Sequence, residues 1–336
     1  MKVALICPFS SGPGRGNITT VRRISNHLPV AGCNVIQVNL DSMNTESQHN
    51  LLEHTKPDLM HAFHAYYAGP TARLASLKLN IPYVITITGS DLFDLNISNA
   101  PETRQAIIDA AAVTCFDPLV AQRLSKVFPG ISSRVSVIPQ GVAPFPVENT
   151  VPDPVSDFII LLPAVLRPVK GVTNAIEALA TLALEFPLLR LLVVGGAIDR
   201  DYAGKVREMV STLQWVRLMG DIPYQQMGVQ YAAANLVLNS SVFEGGMANA
   251  LLEAMVMGKP VLARDVLGNR SLIRHGETGW LYSDDEELRG IVRLMLLDPD
   301  RGDDIAEVGR KFVLEHCSPL TEASSYSELY KRLLSK

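Results

Sequence analysis

The chain has 336 residues, of which 47% are hydrophobic and 19% charged, with a formal net charge of −4. That length suits two domains of ordinary size and that apolar share excludes a disordered chain. The weakly acidic balance, with no basic stripe interleaved with aromatics, excludes nucleic acid as a partner.

In chain order, near-continuous apolar runs predict strands over 3–8, 35–40, 59–63, 83–88, 112–116 and 135–138. A second set follows over 158–163, 189–194, 216–219, 236–239, 260–263 and 279–282. Strands of this kind alternating with helical segments imply parallel sheets covered on both faces, that is, two doubly wound units. The aperiodic, proline-rich stretch over 141–157 reads as the linker between them. The expected domains are therefore 1–150 and 155–318, with a last helix over 319–336 that crosses back onto the first. No apolar run reaches the ~18 to 20 residues of a membrane span, so a cytoplasmic location is expected. Cys7, Cys33, Cys115 and Cys317 have no metal-ligand or C-x-x-C spacing and read as reduced thiols.

In open α/β sheets ligands bind outside the carboxyl ends of the strands, so the loops after strands carry the functional signal. The first such loop, FSSGPGRGNITT, holds Gly12, Gly14 and Gly16. Glycines let a backbone approach a ligand, and the following helix presents its positive end to an anion. The spacing is G-x-G-x-G, which misses the dinucleotide fingerprint. The same loop also reads as a ligand-free turn in which Asn17 or Thr19 caps the helix. Asp41 stands where an NAD-dependent dehydrogenase keeps its ribose-binding acid, but a turn former is the plainer reading.

LRPVKG follows the first strand of the second set and brings Arg167 and Lys170 onto one short loop. A guanidinium fork and an ammonium suit a pyrophosphate; a solvated loop is the alternative. The segment VFEGGMANALLEAMVMGKPVLA then predicts a helix from Met247, stopped by Gly258, Lys259 and Pro260. At ~100° per residue, two glutamates nine positions apart face opposite ways on one helix. Glu244 therefore belongs to the loop, beside the amides of Met247, Ala248 and Asn249. Glu253 sits on a helix too apolar to have much exposed surface, which favours a carboxylate that holds a ribose diol over a solvated one. The base of such a nucleotide is expected near 216–219.

Taken together, Arg167-x-x-Lys170, EGGMANALLEAM, GKPVLA and GETGWLY resemble the retaining GT-B glycosyltransferases of family 4. TGSDL at 88–92, HAFH at 61–64, RGN at 15–17 and VIPQG at 137–141 resemble the same family and the selenosugar synthases. The resemblance implies an α/β GT-B fold, two Rossmann-like parallel-sheet domains facing across a cleft. It implies transfer from a nucleoside diphosphate sugar, with UDP as the expected nucleotide, without metal or other cofactor. Arg167 and Lys170 would neutralise the diphosphate and Glu253 would hold the ribose. Glu244 and the backbone of Gly245, Gly246, Met247, Ala248, Asn249 and Ala250 would grip the donor sugar and distal phosphate, with Gly14 and Gly16 closing over them. Asn17, His64, Thr88 and Asp91 would line the acceptor side. The acceptor is a small molecule, a glycan or a lipid, and Arg22 and Arg23 leave room for peripheral membrane contact. Two features depart from the family: eight residues instead of seven separate Glu244 and Glu253, and Thr88 stands where many members have histidine. They leave open a nucleotide-sugar binding protein without catalysis, while TGSDL and RGN leave open a synthase using a selenium or sulfur nucleophile.

Overall fold

The computed structural model describes residues 1–12, 16–146 and 157–335. It divides into two compact units. One comprises Met1–Gly141, Glu244–Met247 and Cys317–Lys336, the other Val142–Phe243 and Ala248–His316. Of the expected linker, positions 147–156 lie outside the described residues.

The first unit is built on β1 (Lys2–Cys7), β2 (Asn34–Asn39), β3 (Leu59–Phe63), β4 (Tyr83–Thr86), β5 (Ala112–Cys115) and β6 (Val135–Val137). All pair in parallel, in the order β2-β1-β3-β4-β5-β6. Side chains alternate across a strand, yet both faces here are apolar because both are covered. Ala4, Ile6, Met60, Ala62 and Ile85 enter one core. Val3, Leu5, Cys7, Leu59 and Phe63 enter another, closed by Ala323, Tyr326 and Tyr330 of the helix Pro319–Leu334.

A polar chain runs through that second core. His61, fully buried on β3, shares hydrogen bonds of 2.6 Å with the Tyr330 hydroxyl at Nδ1 and with Thr86 Oγ1 at Nε2. Thr86 in turn meets Thr114 Oγ1 at 2.6 Å. Burial disfavours the imidazolium and lowers the ring's pKa from 6.5 to about 3, so His61 is a neutral structural group. The approach of the last helix is close: a Cβ on Gly141 would collide with the Pro319 backbone.

The second unit is built on β7 (Phe158–Pro163), β8 (Leu189–Val194), β9 (Val216–Gly220), β10 (Leu236–Asn239), β11 (Val261–Arg264) and β12 (Trp280–Tyr282). Its parallel order is β12-β11-β10-β7-β8-β9. Ile160, Leu162, Leu191, Val193, Leu238 and Leu262 form its core with the helices Val172–Glu185 and Asp285–Leu297. Each of the twelve strands lies within two residues of its expected ends. In both sheets the strand order reverses at the first strand of the unit, β1 between β2 and β3 and β7 between β8 and β10. The crevice at such a reversal is where open α/β sheets bind ligands. Among the described residues no helix is long and apolar enough to cross a membrane.

Candidate active site

At the reversal point of the second unit, the loops after β7 and β10 are stitched together. Arg167 opens a single 3-10 turn, Pro168–Lys170, which Gly171 closes at φ 60°. Ser240 Oγ donates to the Lys170 carbonyl at 2.7 Å, and Val242 N donates to the Val169 carbonyl at 2.9 Å. Lys170 Nζ donates to Ser241 Oγ at 3.2 Å. Gly171 is obligatory here, because φ is positive and an added Cβ would strike the Ser240 carbonyl. The two cations therefore ride on a loop whose backbone is fixed from below, which limits the entropy lost when an anion binds. Ser240 and Ser241 escaped the sequence reading; no spacing rule marks two serines after a strand as clamps.

Beside this loop the backbone crosses itself closely. Leu166 pairs with Ala197, and a Cβ on Gly195 would meet Val165 N at 2.7 Å. Leu166, Val193, Gly195, Gly196, Ala197, Arg207, Leu218 and Gly220 line an open pocket of about 190 Å³ at the carboxyl ends of β7, β8 and β9. Leu218 comes from the run 216–219.

The helix expected from Met247 begins two residues later, as Asn249–Val256. Met247 adopts φ 49°, left-handed, and Ala248 is an extended cap, so neither continues a right-handed turn. Asn249 and Ala250 form the first turn. Glu253 is 7% exposed, and the Tyr231 hydroxyl donates to its Oε2 at 2.7 Å. Burial first, then the charge of Glu253, raises the Tyr231 pKa, so the phenol keeps its proton and remains a donor. Phe145 packs on Tyr231 and Tyr224, with ring centroids 5.8 and 5.0 Å apart. Tyr231 was missed because, inside the short helix Met227–Ala233, it reads as an ordinary core aromatic.

The first unit gathers a second group. His64 ends β3 at φ 84° and is 3% exposed. Lys56 and Asn80, also left-handed, merely close helices, so His64 and Met247 carry the informative strain. His64 Nδ1 accepts from the amides of Tyr66 at 3.2 Å and Tyr67 at 3.4 Å, which leaves Nε2 as donor to Ser90 Oγ at 2.8 Å. That tautomer makes the 3.9 Å approach of Asp91 to Nδ1 a packing contact, not an ion pair. Asp91, fully buried, accepts from the amides of Ala65, Thr88 and Gly89 at 2.8, 3.0 and 2.8 Å. It therefore organises the TGSDL turn.

Against that turn lies Gly245, where a Cβ would come within 2.5 Å of Gly89 Cα. Gly246, at φ 97°, faces Asp117 and Val120. Glu244 precedes them in the loop, half-buried. The structure thus brings His64, Thr88, Asp91, Gly245 and Gly246 together in the first unit; in the second, Arg167 and Lys170 share the loop after β7, while Asn249, Ala250 and Glu253 share the helix Asn249–Val256. Gly16 is the first residue of the helix Gly16–His27, so Asn17 and Thr19 sit within its first turn and do not cap it. Gly14 lies outside the described residues. Asp41 holds the loop after β1, accepting from Ser10 N and Oγ at 2.9 and 2.8 Å, which makes it the turn residue of the plainer reading.

The model of glycosyl transferases group 1 matches residues 149–312, and that of glycosyltransferase family 4 matches residues 1–144. Two doubly wound units carrying these two matches define the class: the chain belongs to the GT-B glycosyltransferases of family 4. Within it, the chain is 24% identical over 332 residues to glycosyltransferase 1 domain-containing protein 1 of Xenopus tropicalis, covering 95% of this chain and 94% of that protein. Sucrose-phosphate synthase from Thermosynechococcus elongatus has the same fold, with TM-score 0.81, 20% identity and 99% of each chain covered. Anabaena Alr3699/HepE, crystallised with UDP-glucose, matches at TM-score 0.81 and 18% identity over 100% of both chains.

Proposed function

We propose that this glycosyltransferase moves a sugar from a nucleoside diphosphate sugar, with UDP as the nucleotide, to an acceptor hydroxyl or other nucleophile with retention at the anomeric carbon. The observation that carries the reading is the clamped loop after β7, which offers Arg167 and Lys170 at the reversal point of the second sheet. As the glycosidic bond breaks, negative charge grows on the diphosphate while the sugar becomes oxocarbenium-like. Fixed donors aimed at that growing charge supply most of the rate enhancement in a site of this kind. The ribose goes to Glu253, whose buried carboxylate the Tyr231 hydroxyl holds in place. The base goes to the pocket lined by Leu218 and Gly220. Glu244 and the backbone from Gly245 to Ala250 are assigned to the donor sugar and distal phosphate. Asn17, His64, Thr88 and Asp91 are assigned to the acceptor side, and Gly14 and Gly16 to closure. The UDP-glucose seen in Anabaena Alr3699/HepE supports the nucleotide. No cofactor enters this scheme.

The test is turnover of UDP-sugars by Arg167→Ala and Lys170→Ala proteins, with the anomer of the product read by NMR. A fall of about 10²- to 10³-fold in kcat for each, with a retained anomer, is expected. Near-normal turnover in both, or an inverted product, overturns the mechanism.

A further inference from the structure

Within that donor site, on whose assignment this rests, we infer that Gln140 of the VIPQG motif is a positioning residue that aims a donor amide at the distal phosphate. Gln140 is 3% exposed and both ends of its amide are committed. Nε2 donates to the Met247 carbonyl at 2.6 Å, and its own backbone N–H meets Met247 Sδ at 3.3 Å. Oε1 accepts from Thr20 Oγ1 at 2.6 Å and from Arg23 Nη2 at 2.8 Å. Arg23 is itself held by Glu322, Nε to Oε2 at 2.6 Å and Nη2 to Oε1 at 3.0 Å, and Glu322 Oε2 accepts from Gly141 N at 3.1 Å. The amide cannot be reversed, since that would turn its NH₂ toward two donors and its oxygen toward a carbonyl.

The consequence falls on one peptide plane. The Met247–Ala248 peptide is trans and planar, so its C=O and N–H point in opposite directions. Holding the Met247 carbonyl against Gln140 directs the Ala248 N–H away from it. Among the described residues that N–H has no protein acceptor. Met247 also sits at φ 49°, a conformation that a non-glycine residue keeps only where its surroundings over-determine it. Two hydrogen bonds from Gln140 to one left-handed residue supply that determination. Gln140 thus acts on the ligand only through Met247 and Ala248.

The experiment compares nucleoside diphosphates with monophosphates by calorimetry, using UDP with UMP and the ADP/AMP and GDP/GMP pairs, together with thermal unfolding. Gln140→Glu keeps an acceptor for Thr20 and Arg23 but replaces the donor facing Met247 with an oxygen. It is expected to lose about tenfold in diphosphate affinity while monophosphate affinity stays near wild type; the melting temperature falls, because the buried Met247 carbonyl loses its donor. Gln140→Asn, too short to span both partners, gives the same selective loss if the glutamate variant does not fold. Equal weakening of both ligands, or unchanged diphosphate binding, overturns the inference and leaves the donor site standing. A wild-type protein that binds no diphosphate more tightly than its monophosphate overturns the donor site and this role with it.

Discussion

Acidification from pH 8 to pH 5 is expected to destabilise the first unit by about 2 kcal/mol through one imidazole. His61 has no exposed surface, and burial lowers its pKa from 6.5 to about 3. The unfolded chain takes up a proton near 6.5 and the folded chain does not. The contribution to stability is therefore complete above 6.5, and it is lost progressively as pH falls from 6.5 toward 3. At pH 5 the unfolded ring lies 1.5 units below its pKa, which at 1.36 kcal/mol per unit gives the figure stated; the limiting loss below pH 3 is about 5 kcal/mol. Both tryptophans, Trp215 and Trp280, belong to the second unit, so fluorescence reports the wrong half. Hydrogen exchange of the β1 and β3 amides across pH 5 to 8, in wild type and in His61→Gln, follows the right one. The variant starts less stable but should show a flatter pH slope, by the amount above. Identical slopes would mean that the ring is hydrated or already charged in the folded protein.

Tyr231→Phe removes a donor from a buried carboxylate and should lower stability by about 1.5 to 3 kcal/mol, with weaker nucleotide binding; calorimetry and urea denaturation check both. Gly141→Ala has no room beside Pro319 and should cost at least about 1 to 3 kcal/mol, visible as a lower melting temperature, whereas Gly130→Ala, with open space around it, should not. All four cysteines are buried and free, and burial pushes the thiols of Cys7, Cys115 and Cys317 up to about 12. Iodoacetamide at pH 8 should therefore leave the native protein unlabelled while unfolded protein reacts at all four; rapid native labelling would refute that packing.

The sheets were legible because a strand buried on both faces writes itself as an unbroken apolar run such as Phe158–Pro163. The loops were less so. That Met247 leaves the right-handed region depends on what holds it, Gln140 from a segment 107 residues earlier in the chain, and no local pattern encodes that. The burial of Glu253 followed from its apolar helix, whereas its partner Tyr231 lies on another helix and carried no motif. His64 and Asp91 were picked out through resemblance. The role of Asp91 as acceptor for three amides needed the folded turn.

The last sixteen-residue helix, Pro319–Leu334, closes a hydrophobic layer whose other members come from the beginning of the chain. During synthesis these faces of β1 and β3 emerge well before the helix Pro319–Leu334 that completes their cover. All six strands of the second unit meanwhile leave the ribosome. Until that helix is made, these faces are shielded on one side only, by Val21 and Ile24 of the helix Gly16–His27, a window in which chaperone capture competes with self-association.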